Sequence, residues 1–100
     1  MIPIQDDIYT IVLTDVRSKS SDIHNMGEYI LQGDLYHSPR PSKWDGKGKI
    51  FHIPIFLAQK LEPDFNQTIE ASIEPSKDKE GNIIKNNFEI SKIERIEPHP

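Results

Sequence analysis

From Gln67 to Glu74 the chain alternates without a fault: Ile69, Ala71 and Ile73 fall on one side, and Thr68, Glu70, Ser72 and Glu74 on the other. Successive side chains of an extended strand point to opposite faces, so this pattern is that of a half-buried strand. A polar, charged connection follows over residues 75–82, in which Gly81 and Asn82 can supply the positive φ angles of a tight reversal. The returning run, residues 87–97, places its apolar side chains at 88, 90, 93 and 96. A spacing of two, three and three is a strand period with a slip, as a β-bulge gives, or the opening of a helix. Phe88 and three isoleucines favour the strand, and Pro98 ends it.

The rest of the chain must fit around that hairpin. One hundred residues make a single domain, and a chain of this length buries only about 60 to 70 per cent of its unfolded surface. The absence of cysteine excludes disulfides, thiol catalysis and zinc ribbons together. A small domain without such staples relies on sheet closure or on a partner. Eight prolines and five glycines, spread along the chain, argue for many turns and against long helices. No apolar run approaches the ~20 residues of a membrane span. Residues 1–7 lack the basic start and apolar middle of a secretion signal, so no membrane association and a cytoplasmic location are expected.

In chain order, residues 1–7 are expected to form an N-terminal arm across the body. Residues 8–16 read as the first strand, and their near-continuous apolar character predicts burial on both faces. A polar loop over 17–25 leads to a second strand, 26–36, with Tyr29, Leu31 and Leu35 on one face. Gly33 sits among them, where a barrel bends or another backbone comes close. Residues 37–49 form a long basic loop with two prolines, two glycines, four cations and the only tryptophan; its length marks it as functional or mobile. A third strand over 50–57 contains Pro54, which has no N–H to donate and belongs at an edge or a bulge. One helical turn over 58–62 precedes the hairpin.

These elements predict an all-β fold: a five-stranded small barrel with one short helical turn between the third and fourth strands. The Phe88-x-Ile90-x-x-Ile93-x-x-Ile96 run resembles the closing strand of OB-fold (oligonucleotide/oligosaccharide-binding) barrels, and the order of three strands, a connector and two strands looks like the OB plan. A second resemblance, to bacterial single-strand-binding proteins, is carried by residues 30–35 with Pro39 and by residues 48–58. It would leave too little chain for the remaining strands, so the first register is preferred. The resemblance implies a non-catalytic binding module whose first-to-second and fourth-to-fifth loops flank a ligand groove.

Charge is laid out in keeping with that plan. The chain as a whole is net −4. Nine of its twelve cations nevertheless fall in three connections: Arg17 and Lys19; Arg40, Lys43, Lys47 and Lys49; Lys77, Lys79 and Lys85. With four acids among them these segments sum to plus 5, whereas the remainder, with three cations and twelve acids, sums to minus 9. Single-stranded DNA or RNA is therefore the expected partner. The cations would contact phosphates, and Trp44, Tyr36 and Phe51 would act as stacking platforms worth about 1 to 3 kcal/mol per base. The plainer readings are solvated loops, a Trp44 folded back as a plug, and Tyr36 and Phe51 as core or rim residues.

A different class of function is a protein-interaction module: an adaptor subunit, or a small inhibitor of the kind phages and mobile elements encode. Glu70, Glu74, Glu89, Glu94 and Glu97 would then form a negative face that mimics nucleic acid or meets a basic surface. An open edge near Pro54 would offer pairing to a partner or to a second copy as a homodimer. Catalysis is not expected. His24, His37, His52 and His99 are scattered without metal-ligand spacing, no glycine-rich loop cradles a phosphate, and no nucleophile elbow is present. No cofactor and no metal site is implied, and His52 reads as a hydrogen-bonded structural residue on a strand face.

Overall fold

A computed structural model describes residues 8–19, 27–38, 40–61 and 67–98. It contains strands β1 (Ile8–Lys19), β2 (Glu28–Tyr36), β3 (Gly46–Pro54), β4 (Gln67–Lys77) and β5 (Ile83–Pro98), with one helical turn, α1 (Ile55–Ala58), between β3 and β4. The strands hydrogen-bond in the order β1-β2-β3-β5-β4, and β4 returns to β1 to close the barrel. All neighbours are antiparallel except β3 and β5, which run parallel and meet at Ile50–Asn87, Phe51–Phe88 and His52–Glu89. The all-β class, the five strands and the position of the helix are as the sequence predicts, and the architecture is compatible with a small OB-like barrel. The N-terminal arm expected over 1–7 lies outside the described residues.

Period-two burial builds the core. Tyr9, Ile11 and Leu13 of β1, Leu31 and Leu35 of β2, Phe51 and Ile53 of β3, Ile69 and Ala71 of β4, and Phe88 and Ile90 of β5 all point inward. Burying each larger one contributes about 1.5 to 3 kcal/mol. Leu57 and Ala58 of α1, with Leu61, complete the buried cluster. A closed barrel has one interior, so β1 is covered on one face only; Ile8, Thr10 and Val12 are half-buried, in contrast to the expectation of burial on both faces.

The slip in the last strand is a pair of bulges. Glu70 faces Arg95 but Ala71 faces Ile93, and Ser72 faces Lys92 but Ile73 faces Ile90, so Glu94 and Ser91 are extra residues on β5. Each inserts one position, which keeps Ile93 and Ile96 packed against the core after Phe88 and Ile90. β1 has no glycine to bend on and uses the same device: Thr14 and Arg17 are unmatched on β2. Gly33, opposite Leu13, is the close approach expected of it, because a Cβ there would lie 2.7 Å from the Val12 carbonyl oxygen.

Strand limits differ from the sequence reading in ways that have local causes. β1 continues to Lys19, because β2 accompanies it as far as the Lys19–Tyr29 pair. β3 begins at Gly46 and ends at Pro54, and residues 55–57 turn into α1 instead of extending the strand. Pro54 sits at the helix N-cap, and the next residue, Ile55, donates its N–H to the Gly27 carbonyl at 3.2 Å. Pro54 also pairs with Glu28 of β2 in a closed sheet, so the edge expected there is the point where β3 leaves the barrel. In the β4–β5 turn Gly81 alone is left-handed, at φ +87°. Asn82 is held instead by its N–H donating to Asp78 Oδ1 at 2.9 Å and its carbonyl accepting from the Asp78 N–H at 2.9 Å.

Candidate nucleic-acid interface

Register brings two basic connections to one end of the barrel. Leu35 pairs with Gly46, Lys77 with Ile83, and Ile50 with Asn87, so the β2–β3 connection and the β4–β5 hairpin open side by side. Within the first, Ser42 folds the chain back: its hydroxyl donates to Asp45 Oδ1 at 2.8 Å and accepts from the Trp44 N–H at 3.1 Å. Trp44 is thereby laid against the barrel mouth, 5.8 Å from the Tyr9 ring and 5.5 Å from Phe88, whose ring stacks on Phe51 at 5.8 Å. Between Trp44 and the start of β5 lies a slot of about 200 Å3. Its apolar walls are Trp44, Phe88, Pro75, Ile83 and Ile84, and its remaining lining is Lys43, Lys49, Lys85, Asn86 and Asn87.

The lysines here stand apart from the carboxylates. Among the described residues, Lys43, Lys47, Lys49, Lys77, Lys79 and Lys85 form no ion pair, whereas Lys92 and Arg95 on the outer wall bridge Glu94 at 3.1 Å and Glu97 at 2.6 Å. Lys43 Nζ stands 5.9 Å from the Trp44 ring centroid, and Lys49 Nζ donates to Asn86 Oδ1 at 2.7 Å. The same pairs interrupt the negative face anticipated on β4 and β5. Glu94 and Glu97 are matched by neighbouring cations, Glu70 lies opposite Arg95, and only Glu74 and Glu89 face each other as like charges.

Of the residues singled out from the sequence, Lys43, Trp44, Lys49 and Lys85 line the slot, and Lys47, Lys77 and Lys79 are exposed on the strands and turn at the same end. Arg40 is exposed in the β2–β3 connection. Arg17 and Lys19 do not join them. β1 runs antiparallel to β4, with Ile8 opposite Ser72, so Lys77 lies past the start of β1 and Lys19 at its far end, beside Tyr29. Phe51 is 0% exposed and belongs to the core, because alternation along β3 turns it inward with Ile53; it offers no face to a ligand. Tyr36 is 42% exposed on the outer wall opposite Thr10 and does not line the slot. Sequence reasoning passed over Ile83 and Ile84, 65% and 41% exposed, and Asn86, held left-handed at φ 63°. Two isoleucines directly after a polar turn were the available signal.

His52 lies outside the barrel over the parallel β3–β5 seam. Its Nδ1 meets Glu28 Oε1 of β2 at 3.1 Å and its Nε2 meets Asn87 Oδ1 of β5 at 3.3 Å. Asn87 donates its own amide N–H to the Lys85 carbonyl at 2.9 Å, which turns its oxygen toward the imidazole. Partial burial opposes charge on the ring, but the hydrogen bonds to Glu28 and Asn87 and the carboxylates of Glu89 and Glu28 outweigh it, so the His52 pKa is raised. Glu89 is itself held by the nearly buried Ser76 hydroxyl, which donates to its Oε2. This is the hydrogen-bonded structural role expected of His52.

Among the described residues, no group of three or more His, Asp or Glu is arranged to hold a metal ion, and no helix is long and apolar enough to cross a membrane. Comparison of the chain with protein-family models, with curated proteins and with solved structures finds no match.

Proposed function

We propose that this protein is a small non-catalytic binding module for single-stranded nucleic acid, OB-like in plan, whose ligand lies across the barrel end formed by the β2–β3 connection and the β4–β5 hairpin. The observation that carries the reading is that Lys43, Lys49 and Lys85, from two separate connections, line a slot beside the half-buried Trp44, with Lys47, Lys77 and Lys79 exposed on the same connections and none of the six in an ion pair. Closed order β1-β2-β3-β5-β4 with a parallel β3–β5 pair supports the OB-like plan. The body is net acidic, so attraction to phosphate depends on this local cluster and is short-ranged in salt. The mixed charge of the β4–β5 wall gives less support to the alternative, a protein-interaction module that presents an acidic face to its partner.

The test is a titration of Trp44 fluorescence, the only tryptophan signal in the chain, with mixed-sequence single-stranded DNA and RNA. Neutralising about five phosphates implies a loss of about a hundred-fold in affinity between roughly 50 and 200 mM salt. Quenching with that salt dependence is the expected result. Unchanged fluorescence and no retardation of either oligonucleotide at about 50 mM salt would overturn the proposal.

A further inference from the structure

The slot itself assigns a more specific ligand contact, and this inference rests on the nucleic-acid reading above. We propose that the space between Trp44 and residues 83–86 seats one unstacked nucleobase, with the flanking phosphates on Lys43, Lys49 and Lys85. At about 200 Å3 the slot is smaller than the roughly 300 to 1,000 Å3 of sites for drug-sized ligands. A volume of that order suits a single ring system. A base has two apolar faces and a polar edge, and the slot provides for each. Trp44, seated on the buried Phe88, supplies aromatic surface, and Ile84, 41% exposed, supplies an aliphatic wall that has no other packing role in the core cluster. The edge would meet Asn86, whose Oδ1 is taken by Lys49 and whose amide nitrogen makes no hydrogen bond among the described residues. With the oxygen engaged, the amide nitrogen is the donor left to meet an acceptor on a base edge.

An acidic peptide with an apolar anchor would also satisfy lysines around an apolar slot. It would not need the planar aromatic wall that Trp44 presents. A base paired and stacked in a duplex has no free face to lay against Trp44, so the seat favours single strands over duplex.

The experiment uses the whole protein and a labelled single-stranded hexanucleotide followed by anisotropy. A single abasic position, moved along the strand, is expected to lower affinity by about 5- to 150-fold at one location, as loss of one stacked base does. Ile84→Glu, which puts a carboxylate into the slot from an exposed position, is expected to lower it at least ten-fold while its thermal melt stays that of the wild type. Salt-sensitive binding that is indifferent both to the abasic position and to Ile84→Glu would overturn the base seat and leave the nucleic-acid reading standing. Absence of binding to the intact hexanucleotide would overturn both. Binding of an acidic, aromatic-bearing peptide in place of the oligonucleotide would overturn both in favour of a protein ligand.

Discussion

Closure of the barrel through its one parallel strand pair is expected to weaken as pH rises, and the residue responsible is His52. Both groups that flank the ring present oxygen acceptors, Glu28 Oε1 at 3.1 Å and Asn87 Oδ1 at 3.3 Å, so the doubly protonated imidazolium satisfies both and the neutral ring only one. Turning Asn87 over to suit a neutral ring would break its bond to the Lys85 carbonyl. The folded pKa is above that of the unfolded chain. Stability from this site is therefore fully present below the unfolded value of about 6.5 and lost as pH rises through the folded value. The Glu28 side chain is 45% exposed, which puts the ion pair in the solvent-screened class at about 0.2 to 1 kcal/mol. With the second, charge-assisted bond to Asn87 the site contributes about 1 kcal/mol in all. In a domain of this size that is about 4 to 8 °C in Tm. Thermal melts of the wild type and of His52→Gln, taken across the neutral range, should differ at acid pH and converge at alkaline pH. Parallel pH profiles for the two proteins, or an NMR titration placing the folded His52 pKa below the ordinary histidine value, would refute the reasoning.

Other expectations follow from the same geometry. Gly33→Ala should destabilise by about 1 to 3 kcal/mol, read as a lower urea midpoint, because its methyl group would meet backbone atoms of Val12 and Leu13 that cannot swing away. Gly81→Ala, with nothing within 4 Å but φ at +87°, should cost only the left-handed penalty of about 1 kcal/mol. For ligand binding, Lys43→Ala, Lys49→Ala and Lys85→Ala should each shallow the salt dependence by about 0.7 in log–log slope, while Lys92→Ala and Arg95→Ala should leave it unchanged.

The fold was legible wherever burial has a short period. Residues 67–74 and the slipped run that starts at Phe88 state a barrel strand and its bulged partner outright, since Ile69, Ala71, Phe88 and Ile90 turn inward between polar neighbours; the buried Gln67 is the exception. What composition along the chain does not encode is which end of the barrel a loop emerges from. Arg17 and Lys19 look equivalent to Lys77 and Lys79 in sequence, but antiparallel pairing of β1 with β4 sends them to opposite ends. Phe51 was equally opaque, because an aromatic residue beside a basic loop reads the same whether its strand turns it inward or outward. Trp44 packs on Tyr9 and Phe88, as the plug reading has it, and also forms a wall of the slot.

The candidate site and the closing seam share their parts, which explains why neither is visible in any single stretch of chain. Lys49 precedes the seam residue Ile50 and reaches Asn86, which precedes its partner Asn87. Asn87 in turn lines the slot on one side and accepts from His52 on the other, while its amide fixes the Lys85 carbonyl. Four of the slot's residues, Lys49, Lys85, Asn86 and Asn87, are thus positioned by the seam where β3 and β5 run parallel. A parallel pair cannot be made by a hairpin, and here the chain passes through α1 and β4 between the two strands. The slot therefore exists only in the closed barrel, and a ligand that occupies it binds the folded chain in preference to the unfolded one and adds to the stability of that closure by mass action.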